Sequence, residues 1–467
     1  MDSNELTSTI SDRGATTSEE GLDLAPVKMS DLAAESSPVN KDQEVEWARE
    51  DAEEEALLYQ TTRKLCNDLW PTPNTLRWRL SNYFRQNPIW RALFAAPKEP
   101  IIDRMQGGDL NYIMSITLQA SHTSPKDQGD LILRIPHDEE SRVDRDVGIL
   151  EYVRQHTGIP LPTVVRSDFT VNNALEKPYT IQRRVPGSNI EALWDNLTLS
   201  QRCQVARQCG QLNSTLRGVK SSVAGLIEAR DNGTFEIIPF EIHKEQDDDA
   251  KSEVEPRPRG PQSILDIFLT QYTRWFAVDN EAIASVELWP RLLDCVREMD
   301  RLGCFDGIEI SLCHVDLHDC NVMVAVDPVD SSANITAVLD WDEAVFAPQF
   351  VQCEPPTWMW RDEDAVKVEF LDQCWPYEMP GLDMTAEGAD EAEIKRVFEE
   401  SAGGAEYRNL AYSESFRLAR GLWRIAKDGF DASHYYHAAR RILREWAVLR
   451  EKMLSVKADH TQQRIDR

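Results

Sequence analysis

Between Leu312 and Phe346 the chain reads L-C-H-V-D-L-H-D-C-N-V-M-V-A-V, a turn over Asp327–Asn334, and then I-T-A-V-L-D-W-D-E-A-V-F. A loop dense in His, Asp and Asn runs into two short apolar stretches, 322–326 and 335–339, separated by turn residues. That pattern predicts two strands joined as a hairpin. A hairpin brings its end back to its start, so Asp340 returns to the loop that begins at His314. Asp316, Asn321 and Asp340 are therefore expected to meet, which limits the folds open to this chain.

Those residue types in that order suit phosphoryl transfer. The reaction needs one carboxylate near an acceptor hydroxyl, to orient it and take its proton, and Asp316 fits that role. It also needs oxygen ligands for Mg²⁺ beside the nucleotide phosphates, because Mg²⁺ prefers carboxylates, amide carbonyls and water. Asn321 and Asp340 are the candidates. His314 reads as a buried scaffold residue that hydrogen-bonds the loop backbone. Together the H-x-D-L-x-x-x-N string, the hairpin and the Asp about 20 residues on match the catalytic loop of kinase-like phosphotransferases.

Charge narrows the partners. The 467 residues include 80 acids and 51 bases, a formal charge of −29. A phosphate-backbone binder needs a basic stripe, and docking on an anionic membrane needs a polybasic segment, so neither nucleic acid nor a membrane is expected. Hydrophobic residues make up 41%, which excludes global disorder, and the length asks for two lobes. The nine cysteines are scattered without a C-x-x-C pair, so reduced thiols are expected rather than a disulfide framework or a zinc site. Residues 1–30 show no targeting pattern, and no run of 18 apolar residues occurs anywhere. The expected location is cytoplasmic.

Residues 1–55 are rich in Ser, Thr, Asp and Glu, and the first 60 residues hold 16 acids against four bases. They are expected to form a disordered acidic tail. Residues 56–187 should form a nucleotide-binding lobe with leading helices. In it, strands are predicted at 109–119, 130–135 and 179–185, and a helix at 143–156. Residues 188–455 should form a helical catalytic lobe with helices at 200–217, 264–277, 282–302 and 432–454, and a charged insertion at 244–262. Residues 456–467 are read as a tail. The pattern is α+β and bilobal, a small β-rich N-lobe before a larger, mainly helical C-lobe.

The string HVDLHDCNVMV…VLDWDEA resembles the aminoglycoside phosphotransferase family, also called the phosphotransferase enzyme family. Trp341 stands where protein kinases carry the Phe of D-F-G, and no A-P-E element follows. Both features favour the small-molecule branch, and the Trp-rich tail looks like its large fungal members. The resemblance covers roughly residues 100–440 and implies a protein-kinase-like fold with ATP and Mg²⁺ as cofactors. It implies that Gly107, Gly108 and Asn111 form a turn approaching the phosphates, as in the family's G-G-x-x-N. Arg134, in LILRIP, takes the place of the family's phosphate-contacting Lys or Arg. Asp146 takes that of its Glu partner, one methylene shorter. Backbone groups near Gln182 and Arg184 would hydrogen-bond adenine.

Other residues have blander roles. Asp342 is read as a structural hydrogen-bond acceptor and Glu343 as solvated or facing substrate. No distinct chemistry falls to His318. His434 and His437 lack further ligands for a metal and are read as surface or packing residues. Trp358, Trp360 and Trp375 should pack against the catalytic lobe, with a lesser prospect of flooring an acceptor pocket. The function implied is an ATP- and Mg-dependent kinase that phosphorylates a hydroxyl of a small acceptor. The alternative is a pseudokinase or nucleotide-binding scaffold without turnover.

Overall fold

The computed structural model describes residues 41–70, 100–105, 110–118, 129–138, 141–230, 232–242, 260–278, 283–361, 385–386, 388–430 and 433–465. Gly107, Gly108, Trp375, Cys374, residues 1–40 and most of the charged insertion lie outside them. The chain divides into two units, Met1–Gln60 and Thr61–Arg467. The first is described only within helix α1, Lys41–Leu69.

An antiparallel sheet of five strands begins the second unit: β1 (Ile101–Arg104), β2 (Asn111–Leu118), β3 (Gly129–Pro136), β4 (Val164–Asp168) and β5 (Tyr179–Arg183). Their order is β1-β2-β3-β5-β4. Alternation along β3 buries Leu131, Leu133 and Ile135 on one face and turns Arg134 to the other. Helix α2, Val143–His156, comes between β3 and β4 and buries Ile149, Leu150 and Val153.

The chain leaves this sheet at Pro186-Gly187. Gly187 has a φ of +96°, and a Cβ there would lie 2.1 Å from the carbonyl oxygen of Val324. Only glycine permits that approach. It lets β6 (Ser188–Asn189) pair with the strand that carries Val324. The short helix α3 (Ile190–Leu193) follows, and then α4 (Leu199–Gly218), which starts with a Thr198/Gln201 capping box.

The C-terminal region is mainly helical and contains more β structure than its sequence predicts. A second five-stranded antiparallel sheet has the order β7-β10-β13-β8-β9, from strands at Lys220–Ser221 (β7), Gly225–Ala229 (β8), Phe235–Ile238 (β9), Ile310–Cys313 (β10) and Val345–Pro348 (β13). The predicted hairpin is present as β11 (Val322–Val326) and β12 (Ala333–Val338), and β6 joins it as a third strand. The extra strands have two to five residues, and β10 and β13 are buried throughout. A short, fully buried strand shows no alternation to read.

Helices α5 (Ile264–Val278) and α6 (Ile283–Arg301) match their predicted spans closely. After β13 come α7 (Gln349–Gln352), α8 (Ala389–Ser401), α9 (Ala405–Tyr412), α10 (Glu414–Asp428) and α11 (Ser433–Ile465). The core of this region includes Phe268, Tyr272, Trp289, Trp341, Trp360 and Trp423, all fully buried. Each such side chain contributes on the order of 2–3 kcal/mol by burial.

Two predicted boundaries need correction. Helix α1 begins at Lys41, so residues 41–55 are helical rather than part of a disordered tail. Its Glu- and Ala-rich sequence favours helix, and Arg49 pairs with Glu53 one turn on, at 3.1 Å. Helix α11 continues to Ile465 through most of the predicted tail, and Lys457 Nζ donates to Leu302 O at 3.0 Å. Among the described residues no helix is long and apolar enough to cross a membrane.

Candidate active site

Strand β10 delivers His314 to the centre of the region, where the side chain has no solvent exposure. Its Nε2 lies 2.8 Å from Leu339 O, which can only accept, so this nitrogen carries the proton. Its backbone N–H donates to Gln352 Oε1 at 2.8 Å, and its ring centroid lies 4.5 Å from that of Trp341. Burial lowers its pKa, which favours the neutral imidazole. His314 thus ties the loop to the end of the hairpin.

The loop that follows is bent sharply. Val315 has a φ of +71° and Asp340 a φ of +58°, a left-handed conformation that strains the β-branched valine and that Asp tolerates more readily. Such strain concentrates at functional sites. Asn321 Nδ2 donates to Asp316 Oδ2 at 2.8 Å and to Asp316 O at 3.0 Å. His318 Nε2 lies 3.4 Å from the other Asp316 oxygen. The N–H of Leu339 donates to Asn321 O at 2.8 Å, so the residue before Asp340 is fastened to the loop. The hairpin thus brings the residue before Asp340 back to the loop in which Asn321 holds Asp316.

Arg134 reaches this cluster from β3. Its Nη2 donates to Asp340 Oδ1 and to Asp342 Oδ2, each at 3.0 Å, across more than 200 residues of sequence. Asp342 is thus a hydrogen-bond acceptor in an ion pair. The predicted Arg134–Asp146 pair needs correction: among the described residues, the hydrogen bonds of Arg134 go to Asp340 and Asp342. Asp146 carries a short side chain, and it acts on Arg134 through space only. Burial pushes the Asp146 carboxyl up to about 8, Asp342 adds to the rise, and Arg134 only partly opposes it. Burial also raises Asp342. Arg134 itself is raised, because the surrounding carboxylates outweigh the cost of burying its charge.

The remaining predicted residues lie along the first sheet. Asn111 opens β2 opposite Pro136, two positions from the Ile113–Arg134 pair. Gln182 is buried in β5, with neighbours on both sides, Ile132 in β3 and Val164 in β4. Arg184, just past β5, donates its backbone N–H to Asp130 O at 3.0 Å.

Beside Asp316 opens a cleft of about 310 Å³. One wall is α10, which contributes Arg420, Trp423, Arg424 and Lys427, and Asp428 stands at its end. The opposite side brings Glu343 and Glu354. Lys427 pairs with Glu343, and its Nζ lies 3.3 Å from Asp428 Oδ1. Arg424 pairs with Glu354 at 2.5 Å. Arg420 donates to the carbonyls of Leu410 (2.8 Å), Ala411 (2.6 Å) and Phe350 (3.3 Å). Glu343 is therefore ion-paired as well as facing the cleft.

His434 lines this cleft too, and Trp358 lines an adjoining recess that shares His318 and Glu354 with it. Trp360 is fully buried instead. Sequence reading missed the α10 wall. A signal exists: Arg417, Arg420, Arg424 and Lys427 recur at spacings of three and four, a basic stripe on one helix face in an acidic chain. Among the described residues no group of three or more His, Cys, Asp or Glu could hold a metal alone. A carboxylate plus an amide oxygen still suits Mg²⁺, which takes few protein ligands and completes its shell with water and phosphate. The Asn321–Asp340 pair fits that donor chemistry.

Residues 121–351 match the model of the phosphotransferase enzyme family. A search of curated proteins finds no match. Among solved structures, similarity extends to a thermostable mutant of aminoglycoside phosphotransferase APH(4)-Ia in ternary complex with AMP-PNP and hygromycin B. It is 16% identical, covers 74% of this chain and 94% of that one, and has a TM-score of 0.39. For an ethanolamine kinase from Plasmodium vivax the values are 11% identity, 80% and 94% coverage, and a TM-score of 0.40. For APH(2″)-IIa in ternary complex with streptomycin and ATP they are 10%, 77% and 96%, and 0.42.

Proposed function

We propose that the chain, whose residues 121–351 match the model of the phosphotransferase enzyme family, is a phosphotransferase acting on a hydroxyl group and, more narrowly, an ATP- and Mg-dependent small-molecule kinase. The observation that carries this reading is the joining of three distant segments into one chain of contacts. Arg134 holds Asp340 and Asp342, Leu339 holds Asn321, and Asn321 holds Asp316.

Asp316 is the residue that orients the acceptor hydroxyl and takes its proton. The hydroxyl oxygen forms a bond to the γ-phosphorus of ATP, the bond from that phosphorus to the β-γ bridging oxygen breaks, and ADP leaves with the electron pair. Asn321 secures the Asp316 carboxylate at one oxygen and leaves the other toward His318 and the cleft. Asn321 and Asp340 would hold Mg²⁺, which when bound offsets the charge of the nucleotide phosphates. Arg134 is placed to exchange a carboxylate partner for a phosphate oxygen, because guanidinium matches both geometries. Positioning and charge stabilisation supply most of the acceleration in such a transfer.

The test uses the purified full chain. Mg·ATP should raise its melting temperature, and ADP should appear slowly without an acceptor and faster with one. Asp316→Asn should keep the thermal stabilisation and lose the acceptor-dependent ADP. Retention of that ADP in the variant would remove Asp316 from the proposed role.

A further inference from the structure

The cleft beside Asp316 carries six charged side chains besides Asp316 itself, and they cancel. Glu343, Asp428 and Lys427 form one connected group; Glu354 and Arg424 form a pair. Arg420 stands behind them and is held by three backbone carbonyls. Three carboxylates thus meet three cations, and Asp316 is the one charge among the described lining residues without a counterpart there, histidines counted as neutral.

The rest of the wall is aromatic and aliphatic. Tyr435 lines it along with Val315 and Val351, and the buried Trp423 lies beneath them. The Tyr435 hydroxyl is fixed, donating to Asp428 Oδ2 at 2.8 Å. The Trp423 indole N–H is buried and has no partner among the described residues.

We propose that the acceptor is an uncharged polyhydroxylated molecule of about one ring, a sugar or cyclitol, seated in this cleft. This inference rests on the phosphotransferase reading and adds the substrate class to it. A polycation would find one uncompensated carboxylate, the one needed for proton transfer. A polyanion would find no free cation. A hydroxyl both donates and accepts, so it can share a lone pair of a paired carboxylate without breaking the ion pair. Apolar C–H faces then lie against Tyr435, Val315 and Val351. A cleft of about 310 Å³ is at the low end of small-molecule sites, about 300–1,000 Å³, which suits one ring better than three.

The experiment follows ADP release from Mg·ATP by the full chain with a panel of neutral monosaccharides and cyclitols, D-glucose and myo-inositol among them. D-glucosamine, D-glucuronate and kanamycin supply the charged comparison. The expected result is a kcat/KM for a neutral probe at least about tenfold above that of every charged one. Preference for a charged probe overturns the inference, and so does failure of every neutral probe to raise ADP release above the acceptor-free rate. Absence of any thermal stabilisation by Mg·ATP would instead sink the kinase reading. Pair-breaking variants give a second readout. Lys427→Met leaves Glu343 unpaired and should move the glucosamine-to-glucose ratio about tenfold toward the amine, while Glu343→Gln should move the glucuronate-to-glucose ratio upward. Lys427→Arg should keep the wild-type order. An unchanged order in both pair-breaking variants would show that the ion pairs do not set selectivity.

Discussion

Around Arg134, the carboxylates of Asp340 and Asp342 share one guanidinium and Asp146 adds a third acid, opposed only in part by Arg134 and Arg145. Around Lys427 and Arg424, about the same number of carboxylates face matching cations and are held in ion pairs. The same residue types thus make an open deficit of positive charge in one region and a closed account in the other. On the proposed kinase reading, the deficit suits a region that admits a metal ion with its nucleotide. The closed region suits a ligand that brings no charge. Perturbing each region separately tests whether that contrast is functional.

The largest effect should come from Asp316→Asn, which keeps the shape of the loop and the Asn321 contact but removes the proton acceptor. Acceptor-dependent ADP formation should fall about 10²–10⁴-fold, measured at saturating Mg·ATP. A loss under tenfold would move the chemistry away from the first region. Next is Arg420→Met in the closed region. Arg420 satisfies carbonyls at the C-terminal end of α9, where helical carbonyls lack partners of their own. Orphaning them should cost about 2–4 kcal/mol, read as a lower denaturation midpoint. An unchanged midpoint would mean that the wall of the cleft does not depend on this charge.

A smaller effect should separate the two ways of holding Asp340. Arg134→Lys keeps one cation but loses the planar fork that reaches two carboxylates at 3.0 Å each. The KM for Mg·ATP should rise about tenfold with kcat less affected. Arg134→Met should raise it further. Equal KM values in wild type and both variants would mean that the Arg134 contacts belong to the nucleotide-free protein alone.

The two regions also differed in how far the sequence disclosed them. His314, Asp316 and Asn321 fall within eight residues, and a hairpin returns Asp340 to them, so local pattern sufficed. Arg134 was named by the family resemblance of LILRIP, and its strand turns it to the face opposite Leu131 and Leu133. Its actual partners did not follow, because a contact across 206 or 208 residues is decided by packing. The second region is made almost wholly of such contacts: Arg424 meets Glu354 across 70 residues and Lys427 meets Glu343 across 84. The basic stripe on α10 was readable by its spacing, but the carboxylates that neutralise it were not. The missed strands failed for another reason, since runs as short as Lys220–Ser221 or Ile310–Cys313 give too few residues to define a period.

The smallest expected effect concerns pH and belongs to the crowded region. Asp146 titrates at about 8 in the folded chain, raised by burial and then by Asp342, against an ordinary value of 3.8. Between these values the folded state keeps a proton that the unfolded state releases, so this group makes stability fall as pH rises through that window. Below about 4 it contributes nothing, and above about 8 its full penalty is present. Asp146→Asn cannot ionise and should remove that slope. In the metal-free protein the variant should match wild type near pH 4 and gain on it steadily up to pH 8, measured by urea unfolding at both values. A variant equally stable relative to wild type at both pH values would mean that Asp146 does not carry this burden, and that the carboxylates around Arg134 are less crowded than their geometry indicates.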